Sequence, residues 1–147
     1  MNHRLSILLL VACAALLGAV AAVAKTPIPG IVSPSGNIRC LYVPTPGHLL
    51  CDIKRASYSQ REQDGCMARA GLDWHGWELW PTRKAQPVCS GGILYNSNTD
   101  VPHYVRLAYG KTWRHGVFTC ASAFTGLTCR TRSGHGLFLS RGSWRGW

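Results

Sequence analysis

Acidic side chains are scarce in this 147-residue sequence, which has 6 Asp and Glu residues against 16 Lys and Arg residues and a net charge of +10. This imbalance excludes an acidic buffer protein. The length excludes a multidomain enzyme, because a typical domain takes about 100–150 residues. After residue 24, no apolar run approaches the roughly 20 residues that a membrane-spanning helix needs. The remaining sequence is therefore that of one small basic domain.

The first 24 residues predict a secretion signal. A basic start that ends at Arg4 is followed by an apolar run, and residues 22–24 (AVA) form a small-x-small cleavage motif. Cleavage near Ala24 leaves residues 25–147 as the secreted or periplasmic protein, and the loss of Arg4 lowers its net charge by one, to +9. A retained membrane anchor is the alternative, because the run is close to the length of one span. Lipid anchoring at Cys13 is disfavoured, because it would leave an apolar tail on the mature protein.

No two cysteines of residues 25–147 form a C-x-x-C pair, the spacing that many structural zinc sites use. We therefore expect no metal and no cofactor. The number of cysteines in this segment is even, which in an exported protein indicates disulfide bonds. The six are Cys40, Cys51, Cys66, Cys89, Cys120 and Cys129.

Two stretches of the sequence are similar to each other and predict two β-hairpins. In each stretch a glycine stands four residues before a cysteine, and a leucine stands two residues before a second cysteine. Turn-forming residues separate the two cysteines, at residues 44–47 (PTPG) and at residues 125–126 (TG). One cysteine on each strand of a hairpin predicts the pairs Cys40–Cys51 and Cys120–Cys129. Cys66–Cys89 is then the third pair.

The rest of the chain indicates short strands and many turns. Residues 59–70 are polar and predict a short helical turn that Gly71 ends, and residues 91–102 predict a long surface loop. Short alternating patterns at residues 105–110 and 137–139 are typical of strands. We predict a mainly β fold, a small disulfide-stapled antiparallel β domain with hairpins and little helix, over residues 25–147.

Several short motifs follow one another along the chain, among them residues 33–40 (SPSGNIRC), 73–76 (DWHG), 107–110 (LAYG) and 134–141 (GHGLFLSR). Taken in order, they resemble a bacterial family of secreted or lipid-anchored domains of unknown function. The resemblance extends from about residue 31 to residue 144, and it rests on the order and spacing of the motifs. It implies an exported, disulfide-bonded, β-rich domain and assigns no catalytic residue.

Positive charge is concentrated late in the sequence. Six arginines and one lysine lie between Arg106 and Arg145, and no acidic residue follows Asp100. A field of one sign attracts anionic surfaces and polymers, with a strong dependence on salt. Residues 74–80 add three tryptophans whose rings, where exposed, would stack on sugars or lie at a membrane interface. The candidate binding residues are Arg114, Arg130, Arg132, Arg141, Trp77 and Trp80.

These features favour an exported, non-enzymatic binding domain of the cell envelope. Its expected partner is an anionic envelope polymer, a lipid headgroup or an acidic protein, and nucleic acid is less favoured. The alternative is a small basic secreted phosphodiesterase or ribonuclease, in which His135 would act as an acid or base beside arginines that stabilise phosphate charge. His135 lies between two glycines, so a role in the turn competes with catalysis.

Overall fold

A computed structural model of the protein describes residues 24–147, which form eleven β-strands and one α-helix. The predicted secretion signal, Cys13 included, lies outside the described residues apart from Ala24. No helix in residues 24–147 is long and apolar enough to cross a membrane.

Six of the strands form sheet A, in the order β5-β4-β3-β2-β1-β6. All neighbours in this sheet are antiparallel except β1 and β6, which run parallel in a register of seven residue pairs. The strands are β1 (Thr26–Val32), β2 (Ile38–Val43), β3 (His48–Ile53), β4 (Asp73–Trp80), β5 (Arg83–Ser90) and β6 (Asp100–Arg106).

The other five strands form sheet B, in the order β11-β10-β9-β8-β7, and each neighbouring pair is antiparallel. Helix α1 (Ser59–Ala70) connects β3 to β4 and ends where Gly71 takes a left-handed conformation. The strands of sheet B are β7 (Thr112–His115), β8 (Phe118–Ala123), β9 (Gly126–Thr131), β10 (Gly136–Leu139) and β11 (Trp144–Gly146).

The two sheets share one buried hydrophobic cluster between their inner faces. Side chains two apart on a strand lie on the same face of a sheet. Leu49 and Cys51 of β3 therefore point towards the core together, as do Phe118 and Cys120 of β8, and each of these side chains is at most 2% exposed. The alternation of apolar and polar residues in the two hairpins is thus the pattern of strands that are buried on one face.

Three disulfides staple the fold and join the pairs that the sequence predicts: Cys40–Cys51, Cys66–Cys89 and Cys120–Cys129. The first and third lie within hairpins, where the paired cysteines are directly opposite each other in the strand register. The second ties α1 to β5. The prediction of a small, mainly β, disulfide-stapled fold with antiparallel hairpins and little helix is confirmed.

Three local predictions need correction. Residues 100–102 belong to β6 and not to the loop, and this strand ends at Arg106 instead of continuing to residue 110. The reason is tertiary, because pairing with β1 extends the strand towards its start, and an edge strand tolerates the missing N–H group of Pro102. The helix runs for twelve residues, longer than the single turn predicted.

Candidate functional site

The outer face of sheet B carries a row of arginines. Arg114 of β7 lies opposite Thr119 of β8, and Thr119 lies opposite Arg130 of β9, so all three share one face. Adjacent strands are about 4.8 Å apart, which separates the Cα atoms of the two arginines by about 10 Å. Arg145 of β11 lies on the same face, opposite Phe138. We call Arg114, Arg130, Arg132 and Arg145 the basic face.

Three of the predicted binding residues converge in a cleft on this face. Arg114, Arg130 and Arg132 line it, and its volume is about 400 Å³. Thr119 also lines it and adds a hydroxyl group between the charges. All three arginines are exposed, so their guanidinium groups are available to an external ligand.

Trp147 adds an aromatic ring to the basic face. The guanidinium carbon of Arg130 lies 4.9 Å from the ring centroid of Trp147, and that of Arg145 lies 5.4 Å from the same ring. The indole of Trp147 lies directly against Gly136, where a Cβ atom would be only 2.2 Å away. Two backbone hydrogen bonds, one in each direction, join Gly136 and Trp147. Gly136 is therefore required by the close approach of Trp147.

Acidic residues do not neutralise this face. The ion pairs within residues 24–147 are Arg39–Asp52, Arg61–Glu62 and Arg83–Glu78, and none of them includes a residue of sheet B. Sheet B therefore presents positive charge, whereas all six acidic residues belong to sheet A or to α1. The six acidic residues are Asp52, Glu62, Asp64, Asp73, Glu78 and Asp100.

Arg141, the fourth predicted arginine, lies outside the basic-face cleft. It borders a shallow depression together with Lys54 and Arg55, and its carbonyl oxygen accepts a hydrogen bond of 2.9 Å from the backbone N–H of Ser57. The predicted cationic set is thus divided between two places. The clustering of basic residues after Asp100 did not reveal that Arg141 lies apart from the other three arginines, because its neighbours Lys54 and Arg55 come from an earlier part of the chain.

Trp77 cannot serve as a surface binding residue, and its inclusion among the candidates is corrected by its burial. Its side chain is 0% exposed and packs against the rings of Trp74, Tyr58 and Trp144, with centroids 4.9, 5.8 and 5.5 Å away. Residues three apart on a regular strand point to opposite faces. A bulge between Trp74 and Trp77 changes the register and brings the two rings together.

Trp80 is half-buried and lies at the end of β4, in sheet A. Its ring stacks on His48 at a centroid distance of 4.5 Å, and the guanidinium carbon of Arg83 lies 4.3 Å from the same ring. Burial lowers the pKa of His48, an effect that nearby Arg83 reinforces and Glu78 opposes. Trp80 therefore belongs to a local stack in sheet A and not to the basic face.

His135 occupies the turn between β9 and β10. Its backbone carbonyl accepts a hydrogen bond of 2.8 Å from the N–H of Thr131, and its ring is half-buried. It does not line the basic-face cleft, where Arg114, Arg130 and Arg132 converge. An acid or base must reach the bond that is cleaved, so this geometry gives the phosphodiesterase alternative no support.

The segment 33–38 has a structural role. The hydroxyl of Ser33 accepts a hydrogen bond of 3.0 Å from the N–H of Ile38, and Gly36 adopts a positive φ of 70° in the turn. The side chain of Asn37 bonds to both the N–H and the carbonyl of Arg55, at 3.0 and 3.1 Å. This motif therefore connects the start of β2 to the segment that follows β3.

Comparison with protein families matches residues 4–145 to a family of unknown function (DUF6636). No curated protein and no solved structure matches the chain.

Proposed function

Since this chain belongs to the DUF6636 family, whose function is unknown, we propose from the geometry of sheet B that the protein is an exported, non-enzymatic domain that binds an anionic component of the cell envelope. The observation that carries the proposal is the convergence of Arg114, Arg130 and Arg132 in one exposed cleft without acidic neighbours on the sheet. The ligand class is an anionic polymer. Lipid headgroups and acidic proteins are the other anionic partners that the test distinguishes.

The spacing of the charges favours a polymer with repeated phosphate or carboxylate groups. A guanidinium group binds a phosphate or carboxylate with two parallel hydrogen bonds, and two arginines whose Cα atoms are about 10 Å apart can engage separate groups of one chain. Thr112, Thr119 and Thr128 lie on the same outward face and supply hydroxyl groups between the arginines. Trp147 offers an apolar surface at the end of the row.

The compartment supports the choice of an envelope component. Three disulfides are typical of proteins in oxidising surroundings outside the cytoplasm. Anionic polymers and headgroups are abundant there, whereas nucleic acid is not a resident partner. We therefore rank nucleic acid below the envelope components.

Binding of the oxidised protein to polyphosphate, to poly-glutamate, to anionic phospholipid vesicles and to neutral dextran tests the proposal. We expect salt-sensitive binding to the anionic probes, strongest for a polymer, and no binding to dextran. The double variant Arg114→Gln/Arg130→Gln should reduce the slope of log K against log salt by about 2, because two ionic contacts are lost.

The matched control is Lys25→Gln/Arg69→Gln, which removes the same charge from other parts of the chain. This variant should keep the slope of the original protein. An equal reduction of the salt slope in both double variants would mean that only the net charge of the protein matters. The absence of salt-sensitive binding to every anionic probe would refute the proposal. Cleavage of RNA that His135→Ala abolishes would establish the phosphodiesterase in its place.

A further inference from the structure

A second cleft lies on the opposite side of the molecule, on the outer face of sheet A. Its volume is about 440 Å³, within the range of small-ligand sites. Its lining includes Arg39 of β2, Asp52 of β3 and Tyr104 of β6. Leu94 and Tyr95, from the loop between β5 and β6, also line it. No feature of the sequence predicted this cleft, because its lining comes from five separate segments.

The charges in this cleft compensate each other. Arg39 and Asp52 are directly opposite in the strand register, and Nε and Nη2 of Arg39 donate to the two carboxylate oxygens of Asp52. The pair remains accessible, with 39% and 37% of the two side chains exposed. Among the described residues, no acceptor uses Nη1 of Arg39, and the carboxylate keeps free lone pairs. The cleft thus offers donors and acceptors in one plane without net charge.

Aromatic rings stand beside this polar pair. The guanidinium carbon of Arg39 lies 5.8 Å from the ring centroid of Tyr104. Beneath that ring is Gly30, where a Cβ atom would lie 2.7 Å from Tyr104, so the ring rests on backbone and its orientation is set. Burial raises the pKa of Tyr104 above its ordinary value of 10.0, so its hydroxyl is protonated at neutral pH with or without the shift. Trp74, half-buried, lines the same cleft.

We propose that this cleft binds a neutral carbohydrate, one hexose ring of which packs on Tyr104 while its hydroxyls bond to Arg39 and Asp52. A pyranose has an apolar face of C–H groups that suits an aromatic ring, and a pair of neighbouring hydroxyls that suits a planar donor and acceptor pair. The absence of net charge in the cleft selects a neutral sugar over the anions that the basic face attracts. This site is independent of the function proposed for sheet B.

Titration of the isotopically labelled protein with D-glucose, D-galactose, D-mannose and N-acetyl-D-glucosamine, followed by NMR, tests the proposal. We expect saturable shifts of the amide signals around the cleft with at least one sugar, and a dissociation constant of about 1 mM or tighter. The absence of cleft shifts with all four sugars would overturn the proposal. Shifts confined to the basic face would overturn it as well.

Two variants locate the binding to named groups. Tyr104→Leu keeps an apolar side chain over Gly30 but removes the aromatic face, and Asp52→Asn keeps the shape of the side chain but removes its charge. Each should weaken binding about 5- to 10-fold. The matched control is Tyr109→Leu, because Tyr109 has a similar exposure, 44% against 37%, and lines a different cleft.

The control variant should bind the sugar as the original protein does, and so should Arg114→Gln/Arg130→Gln. If both Tyr104→Leu and Asp52→Asn give NMR spectra of folded proteins and bind the sugar with unchanged affinity, the assignment of the site is overturned. Because sugar binding does not involve sheet B, its failure and the failure of the anion-binding proposal are separate results.

Discussion

The Sγ atoms of Cys51 and Cys129 lie within 4.8 Å of each other, although the first belongs to β3 of sheet A and the second to β9 of sheet B. Each is bonded to the cysteine opposite it in its own hairpin, Cys40 and Cys120. The two similar hairpins of the sequence therefore face each other across the core, with one disulfide packed against the other. All four cysteines are at most 1% exposed.

We expect the Cys66–Cys89 disulfide to be reduced first under native conditions. Cys89 is half-buried, whereas the four hairpin cysteines are shielded, and thiol–disulfide exchange requires access to a sulfur atom. The Arg69 side chain also approaches the sulfur of Cys89, with Nη2 4.0 Å away, and a nearby cation stabilises the departing thiolate. Alkylation and mass spectrometry after mild reduction measure the order.

The control for this order is the same reduction in denaturant, where all three disulfides should react at similar rates. Arg69→Gln should slow the native reduction of Cys66–Cys89 alone. Loss of this disulfide should lower the free energy of unfolding by about 3 kcal/mol. Earlier reduction of a hairpin disulfide in the native protein would contradict the prediction.

Replacement of Gly76 should be far more damaging than replacement of Gly36. Both have positive φ angles, 98° and 70°, which cost about 1–2 kcal/mol for an alanine. At Gly76 the new Cβ would also lie 2.1 Å from the carbonyl oxygen of Cys51, whereas at Gly36 nothing lies within 4 Å. We expect a loss above about 4 kcal/mol for Gly76→Ala, measured by urea unfolding. Equal losses in the two variants would contradict the steric explanation.

Tyr58 should make the protein sensitive to alkali. Its hydroxyl donates a hydrogen bond of 2.8 Å to the carbonyl of Ser140, and burial, reinforced by Glu62, raises its pKa to about 12. The unfolded chain ionises first, near the ordinary value of 10.0, so this contribution to stability is complete below pH 10.0 and is lost as the pH rises towards about 12.

Unfolding of the Tyr58→Phe variant across this range measures the effect. The variant should lose about 1–2 kcal/mol at neutral pH, because the carbonyl of Ser140 loses its donor. Above pH 10.0, the free energy of unfolding of the variant should then decrease less steeply with pH than that of the original protein. Parallel curves for the two proteins would show that Tyr58 is not the group responsible.

His48 should contribute to instability in acid. Its pKa is lowered from 6.5, mainly by burial, so the folded protein favours the neutral ring. As the pH falls below 6.5, the unfolded chain takes up the proton first, and the free energy of unfolding decreases until the folded pKa is passed. His48→Phe preserves an aromatic ring beside Trp80 and should reduce this decrease, as urea unfolding at about pH 7.5 and about pH 5 would measure. An unchanged decrease would assign the effect to other groups.

Local sequence patterns were sufficient to predict the two hairpins and the disulfide within each of them. The turn residues and the spacing of two cysteines in each stretch predict strands that lie opposite each other, and the register places Cys40 against Cys51 and Cys120 against Cys129. Residues 100–102 were assigned wrongly, because a proline among turn-forming residues indicates a loop when the neighbouring strand is unknown. The parallel partner of β6 is β1, about seventy residues earlier in the sequence.

The positive charge of the candidate site was predictable from the sequence, but the positions of its residues were only partly predictable. Arg114 of β7 and Arg130 of β9 lie on strands that both pair with β8, so their common face follows from strand periodicity once the pairing is known. Arg145 and Trp147 join that face through β11, which the sequence did not predict. Trp77 was predicted as a surface candidate, but the bulge between Trp74 and Trp77 and the packing of three other rings bury it.

The sequence by itself determined the β class, the pairing of the cysteines and the surplus of positive charge after Asp100, because these depend on composition and on contacts close in the chain. The tertiary structure alone decided that β1 pairs with β6, that two disulfides meet in the core, and that Arg39 and Asp52 share a cleft with Tyr104. These relationships join distant segments. They arise when the two sheets bury their apolar faces against each other, and no local pattern encodes which outward side chains then become neighbours.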